Sequence, residues 1–599
     1  MADFPLKGHG TVAVLITKIR AWRPQLKHGA VSILAILPIV YVSYLIYRHA
    51  VNVPYADEFA LAPYLVKAHQ HTITFADLIA QHNEHRYFFP IFIFIAFSFL
   101  GHGDLRMEMF FSVFLVLLAS LNLSIVLRRT ASLSPGQRLL ALFFFNLLLF
   151  SPVQAENWVW GYQLPIFFCN YLLTCGILAA FSSISLARKF ALCGLLAFMA
   201  SFSFGGGVLL WAVTFPVALL AEKMMTWKQR AAWSLGWCAA GLGCIALYLF
   251  HYVKPPSHPP LAASGNPAEY YFYITGFLGA HLSRASSVES IGQPVLVGTL
   301  LLVLFFGSIL YAIFRREVPG FSKQMFPWFG LGGYALLSAV LASVTRIGFG
   351  ANQALDSRYT SFSLYLSIAV VALLIIIKQD LGRRAISPWM ERALVRCETV
   401  LLTGFAIFSL VAFSWGRSFM VTSERTRLLG KGALLFTNVI KGLENQTGYL
   451  VVNGPQLTEF ANQFDSIGLM YPPLLKSAEI AKLQTRPKPA GFVDEMSGAG
   501  QSWFMTGWAV LPNTLRPAHC VVLSYNEPGK GEVAFGVSDE AYGRPDVAKA
   551  LKAASATWSG WRCHFDRSAL PPGDHLVNAW AFDANRAILY PLGTPKVLH

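Results

Sequence analysis

The sequence predicts a polytopic α-helical membrane protein of about eleven spans with a C-terminal extracytoplasmic β-sandwich-like domain. Three observations carry that prediction. Of 599 residues 55% are hydrophobic and only 13% charged, against about a quarter charged in soluble domains. Apolar runs of about 17–25 residues, the length that crosses a bilayer, recur as far as residue 416. From residue 490 the pattern changes to short alternating runs such as "WFMTGWAV", "HCVVLSY" and "HLVNAWAF", separated by Gly, Pro, Asn and Asp. That is the signature of half-buried antiparallel strands.

Residues 1–29 form an N-terminal segment read as cytoplasmic. The spans fall near 30–48, 108–127, 139–152, 164–186, 190–204, 207–221, 231–252, 292–314, 326–344, 360–377 and 398–416. No small-residue cleavage site follows the apolar stretch 31–47, so it is expected to remain as an anchor. The stretch 88–100 is too short to cross and is expected to be re-entrant or to lie along the interface. With the N-terminus inside, the inner segments collect Lys7, Lys18, Arg20, Arg23 and Lys27; Arg128, Arg129 and Arg138; Arg188 and Lys189; Lys223, Lys228 and Arg230; Arg315, Arg316 and Lys323; and Lys378, Arg383, Arg384, Arg392 and Arg396. The outer loops hold far fewer. The net charge of +16 is thus explained by the positive-inside rule, with no nucleic-acid partner implied. This leaves outer loops at 49–107, 153–163, 253–291 and 345–360 of a membrane domain spanning 30–416. A mixed linker region covers 417–489 and the sandwich 490–599, both outside.

The eight cysteines show no metal spacing. Cys169, Cys175, Cys193, Cys238 and Cys244 lie in apolar runs and read as packing residues. Cys520 and Cys563 are free to pair if their domain lies in an oxidising space.

Polar residues are costly near an apolar boundary unless they have partners or work, and here they gather on the outer side. "YADEF" places Asp57 and Glu58 just after the first span. "QHNEHRYFFP" brings His82, Asn83, Glu84, His85 and Arg86 to the start of the interfacial stretch, with His82 and His85 spaced as neighbours if helical. "GHGDLRMEM" puts Asp104, Arg106 and Glu108 at the outer end of the second span. "SPVQAENWVWGYQLP" holds Glu156, Asn157, Trp160, Tyr162 and Gln163, and the fourth loop supplies Arg346, Asp356, Arg358 and Tyr359. Acids, arginines and amides on one face suit a phosphorylated, hydroxyl-rich ligand, because guanidinium forks match phosphate oxygens.

The order of these motifs resembles the GT-C superfamily of integral-membrane glycosyltransferases, which includes protein O-mannosyltransferases and aminoarabinose transferases. Asp57-Glu58 stand where that family carries its first-loop acids, Arg106 at its arginine before the second span, Ser151, Pro152 and Glu156 in its second loop, and Arg358-Tyr359 at its late Arg-Tyr motif. The family's double proline is reduced to Pro90. The resemblance implies an inverting transferase of a bacterial inner membrane that takes a sugar from a polyprenyl-phosphate donor to a glycan, lipid or protein acceptor. It implies Asp57 as the base, with Glu58 or Glu156 orienting the acceptor or a metal. Arg106, Arg346, Arg358 and Tyr359 would hold the donor phosphate and lipid, and His85, Arg86, Asn157, Trp160 and Gln163 the rest of the substrate. A magnesium or manganese ion is left open. The tail is similar to immunoglobulin-like modules through Gly507-Trp508-Ala509 and Gly543–Val547.

Two other classes remain, a polyprenyl-glycan flippase or transporter and a non-catalytic membrane scaffold. A transporter should carry ionisable residues at mid-membrane on discontinuous helices. The run Gly205–Gly207 is the feature that suggests one, and a tight turn explains it equally.

Overall fold

A computed structural model describes residues 32–222, 225–283, 291–384, 388–451 and 456–599. The N-terminal segment 1–29 with its basic residues, Lys223 and part of the third outer loop lie outside them. The protein is mostly helical with a C-terminal β-rich domain. Among the described residues nine helices are long and apolar enough to cross a membrane: Ser32–His49, Arg106–Thr130, Pro135–Val159, Gly161–Ala180, Trp227–Leu249, Gly292–Phe314, Phe321–Phe349, Ser357–Gly382 and Val395–Leu435. They make a multi-pass membrane protein. Phe88–Leu100 is a separate helix of 13 residues.

Two of the eleven expected spans are shorter than a crossing helix. Residues 190–204 fall in the 16-residue helix Leu186–Ser201, and 207–221 in the interrupted apolar stretch Gly205–Ala221. Gly207 lies so close to the Ala200 carbonyl that a Cβ there would come within 1.9 Å of its oxygen, which lets the chain fold back sharply after Ser201. Thr214 then leaves helical geometry (φ −102°, ψ −91°) just ahead of Pro216, which offers no N–H to the preceding turn and whose ring crowds it. A turn plus a proline therefore accounts for the glycine run and the break after it.

A tight helix crossing joins Pro267–Gly279 and Gly292–Phe314. A Cβ on Gly279 would stand 1.9 Å from the Pro294 carbonyl oxygen, and one on Gly298 the same distance from that of Thr275. Backbone cannot yield as a side chain can, so this contact depends on glycine as small-residue helix contacts in bilayers do. Gly298→Ala is expected to push the helices apart and cost about 1–3 kcal/mol, read as a lowered midpoint in thermal unfolding of the purified protein.

The last helix is unbroken for 48 residues, Pro388–Leu435, and so runs on past residue 416 into the region read as linker. Its charged residues beyond that point suggest an end to the span, yet two of them reach partners on other elements. Glu424 pairs with His49 (2.8 Å) and Arg516 (2.6 Å), while Lys431 Nζ donates to Asn585 Oδ1 (2.9 Å). This helix therefore clamps the first span and the β-rich domain together.

In that domain Gly491–Ala499, Ser502–Leu511, Gly560–Asp566 and Glu540–Tyr542 follow one another in one sheet. The other runs Gln484–Thr485, Ile588–Pro591, His575–Asp583, Cys520–Glu527, Gly531–Val537. Met505, Leu523, Trp561, Val577 and Ala581 from both sheets share one buried core. Cys520 and Cys563 are free and buried, not paired. Cys563 belongs to the inter-sheet core, whereas the Cys520 sulfur lies 2.4 Å from where a Cβ on Gly432 of the long helix would stand.

Candidate functional site

The outer loops converge at one end of the bundle. In "YADEF", Ala56 takes a left-handed conformation (φ +48°) and donates its N–H to the Leu450 carbonyl (2.7 Å). The Tyr55 N–H donates to Glu58 Oε2 (3.1 Å). The 3₁₀ turn Ala56–Leu61 then sends the two adjacent acids in different directions. Asp57 opens to solvent and accepts from Asn83 Nδ2 (3.2 Å). The protein packed around this exposed carboxyl displaces part of its hydration and raises it above the ordinary value, and the nearby Arg358 and His258 hold that rise back.

Glu58 turns inward and is 2% exposed, beside the buried Glu108. Glu58 Oε1 and Glu108 Oε2 lie within 3.2 Å of where a Cβ on Gly161 would stand, and neither oxygen has a hydrogen-bond partner. Only a glycine fits against this carboxyl pair. Burial pushes Glu58 up to about 7, against the Tyr55 N–H and the Arg427 charge, which pull it down. The unfolded chain gives up this proton near the ordinary glutamate value and the folded chain holds it to about 7. Stability from this group is thus present at acid pH and is lost as pH rises through that window. Glu58→Gln should flatten the decline, by on the order of 1–3 kcal/mol across the window, in thermal melts taken at a series of pH values.

Above this pair lies a charged group assembled from four loops. Glu84 ion-pairs with Arg346 and faces His258 Nε2 (3.5 Å) and His85 Nε2 (3.7 Å). Arg358 donates to Asp356 (2.9 Å), with the side chains 37% and 35% exposed, so this pair can open to a ligand. Arg358 is also the opposite charge that acts most strongly on both Asp57 and Glu156. The second and fourth loops are stitched together beneath it. Ser357 Oγ donates to the Val153 carbonyl (2.7 Å) and accepts the Glu156 N–H (3.3 Å), and Asn157 Nδ2 donates to the Arg358 carbonyl (3.0 Å) and Ser361 Oγ (2.7 Å). Tyr359 stacks on Phe277 (5.3 Å) beneath the Arg358 guanidinium (5.7 Å).

The remaining sequence candidates divide. Trp160 meets Tyr55 edge-on (5.2 Å) and its Nε1 is buried without a partner. Gln163 is buried at the start of the Leu164–Ala180 helix. Arg106 is held by its own neighbour Asp104, through Nε (2.8 Å) and one terminal nitrogen (2.7 Å), with Lys431 close by. Its charge neighbours are therefore not those of Arg346 and Arg358. Arg86 is buried and donates to the carbonyls of Ile79 (2.6 Å), Tyr248 (2.7 Å) and Phe250, which makes it a staple of the first loop onto a helix end rather than a ligand contact. His82 and His85 are not stacked on a helix; they face each other across a hairpin, Gln81–His82 against His85–Arg86, turned at left-handed Asn83 (φ +49°). His85 Nδ1 accepts the Gly205 N–H (3.0 Å), and burial lowers His85 to about 3 and His82 to about 4.

No protein-family model matches this chain, and no curated protein sequence matches it either.

Asp57 and Glu58 diverge, and among the described residues no three His, Cys, Asp or Glu side chains are grouped to hold a metal ion. Sequence reasoning passed over four members of the site, one of them His258 of the third loop, which faces Glu84. Glu84 and Glu108 stood in motifs already singled out, but nothing local says which acid of each motif turns inward. Arg427 lay beyond residue 416; its donation to the Val159 carbonyl and its place over the Tyr55 ring (4.0 Å) join the last helix to the acid pair. The signal for it was a run of basic residues, "RTRLLGK", on the side of the membrane that the charge bias leaves poor in them.

Proposed function

We propose that the protein is an inverting membrane glycosyltransferase of the GT-C type. In this reading it moves a sugar from a polyprenyl-phosphate donor to a glycan, lipid or protein acceptor outside a bacterial inner membrane. Its N-terminus lies in the cytoplasm, and its immunoglobulin-like C-terminal domain lies beside the acceptor. One observation carries the reading beside the motif order: Arg358 is the common charge neighbour of Asp57 and Glu156, three residues of three separate loops.

Asp57 is the solvent-facing carboxylate and serves as the base. It takes the acceptor hydroxyl proton as the acceptor oxygen bonds to the anomeric carbon. The carbon–phosphate oxygen bond breaks with its electron pair, leaving polyprenyl phosphate with one more negative charge. Arg358 is positioned to receive that charge by releasing Asp356, and preorganised cations at a developing charge are the largest single catalytic resource a site has. Glu156 supplies a second negative charge acting on Arg358. The buried Glu58–Glu108 pair sits beneath and takes no part in proton transfer.

The test is the purified protein in lipid nanodiscs with a panel of polyprenyl-phosphate sugars, reading release of polyprenyl phosphate and the anomeric configuration of the product. Arg358→Gln should lower kcat/KM by about 10²–10³-fold. Absence of transfer from every donor, together with donor movement across liposomes, would favour the transporter. The observation on that side is the interrupted stretch Gly205–Ala221, but its break is filled by buried Thr214 and Phe215 and not by ionisable groups.

A further inference from the structure

A polar cavity lies at the other end of the bundle. It holds about 220 Å³ and is lined by Arg129, Thr130, Lys189, Glu222, Lys323 and Gln324 among apolar walls. Glu108 and Arg129 lie on the same helix, Arg106–Thr130, and 21 residues at about 1.5 Å each put the two sites roughly 30 Å apart, a bilayer core's thickness. The cavity is therefore separate from the acid–arginine site and sits at the opposite boundary of the apolar region.

Its charge is unbalanced. Three cations face one carboxylate. Lys189 is buried at 8% exposure, and its Nζ reaches Glu222 Oε1 only at 3.4 Å. Arg129 and Lys323 have no ion-pair partner among the described residues. A buried ammonium is expensive unless it is well paired, and a 3.4 Å contact to one carboxylate leaves room for a second anion. Lys323 and Gln324 belong to the first turn of the helix Phe321–Arg346, so backbone N–H groups and the positive end of that helix dipole add to the same field. The volume is below the about 300–1,000 Å³ of pockets for drug-sized molecules and suits a headgroup. Basic pockets between membrane helices recognise anionic lipid heads in this way.

We propose that this cavity binds a phosphate-bearing anion, with Lys189 as the inner contact, Arg129 and Lys323 as the mouth, and Glu222 as the competing acid that sets affinity. The shared chemistry is a phosphate group, whether on a lipid headgroup or as free inorganic phosphate. Two arms separate these sources. The full-length protein, stripped of lipid in detergent, is titrated with inorganic phosphate by ³¹P NMR. In parallel it is placed in nanodiscs of phosphatidylcholine with or without phosphatidylglycerol, and retained lipid is counted by native mass spectrometry.

Arg129→Gln with Lys323→Gln changes two exposed side chains and should leave the fold intact, weakening binding in whichever arm is positive by at least about tenfold. Glu222→Gln should act in the opposite direction and tighten binding by about three- to tenfold, because it removes a like charge from the anion's side. Retention of phosphatidylglycerol with no response to phosphate assigns the lipid; a phosphate response assigns the free ion. Affinities unmoved by both variants, or no binding in either arm, would overturn the proposal.

Discussion

Asp57→Asn is expected to fold, to bind donor, and to transfer sugar about 10²–10⁴-fold more slowly than the parent protein, the range over which a positioned general base contributes. The substitution keeps the shape and the hydrogen bond with Asn83 while removing the ability to take a proton. The acid limb of the pH–rate profile supplies a second readout. Asp57 must be ionised to act, and removal of water holds its carboxyl above the ordinary aspartate value of 3.8. The rate should therefore fall, as pH is lowered, at a pH above 3.8. That limb should move further up in Arg358→Gln, which removes the charge that counters the rise. Measurement is by single-turnover transfer with donor binding followed separately. An Asp57→Asn protein with full activity would take Asp57 out of the mechanism and leave Glu156 as the acid to test.

Much of the architecture was open to reading because the bilayer imposes a length. The spans near 108–127, 292–314 and 360–377 coincide with helices Arg106–Thr130, Gly292–Phe314 and Ser357–Gly382, since continuous apolar sequence of that length has no other stable use. Alternation likewise marked Ser502–Leu511 and His575–Asp583. What failed to show was anything decided by tertiary contact. Asp57 and Glu58 are chemically alike and adjacent, and the left-handed Ala56 with the Leu450 carbonyl decides which one is buried. His82 and His85 have helical spacing, yet left-handed Asn83 makes a hairpin of them. Arg346 looked free for a phosphate until the fold delivered Glu84 from 262 positions away. The last helix passes residue 416 because Glu424 and Lys431 find partners on the first span and the β-rich domain, and neither partner is visible in the local sequence.

The largest loss of stability is expected from Arg427→Ala. This side chain comes from the last helix, is 3% exposed, donates to the Val159 carbonyl, lies over the Tyr55 ring, and is a charge neighbour of Glu58 and Glu156. Truncating it leaves a buried carbonyl without its donor, which costs about 1–3 kcal/mol and more where the donor is charged, and it removes the cation that offsets the burial of two acids. Arg427→Lys should recover little of that, because an ammonium cannot reach the carbonyl and cover the ring at once. Arg427→Ala combined with Glu58→Gln should recover a part, since the acid that required the cation is then gone. Equilibrium unfolding followed by tryptophan fluorescence measures all three. Tyr55 and Trp160 pack against each other, so the damage should also reach the turn that aims Asp57, and transfer should fall in Arg427→Ala even at temperatures where the protein remains folded. An Arg427→Ala protein as stable as its parent would mean that the acid pair, holding its proton, does not need the charge of the last helix. The tie between that helix and the active turn would then rest on the Ala56–Leu450 backbone hydrogen bond.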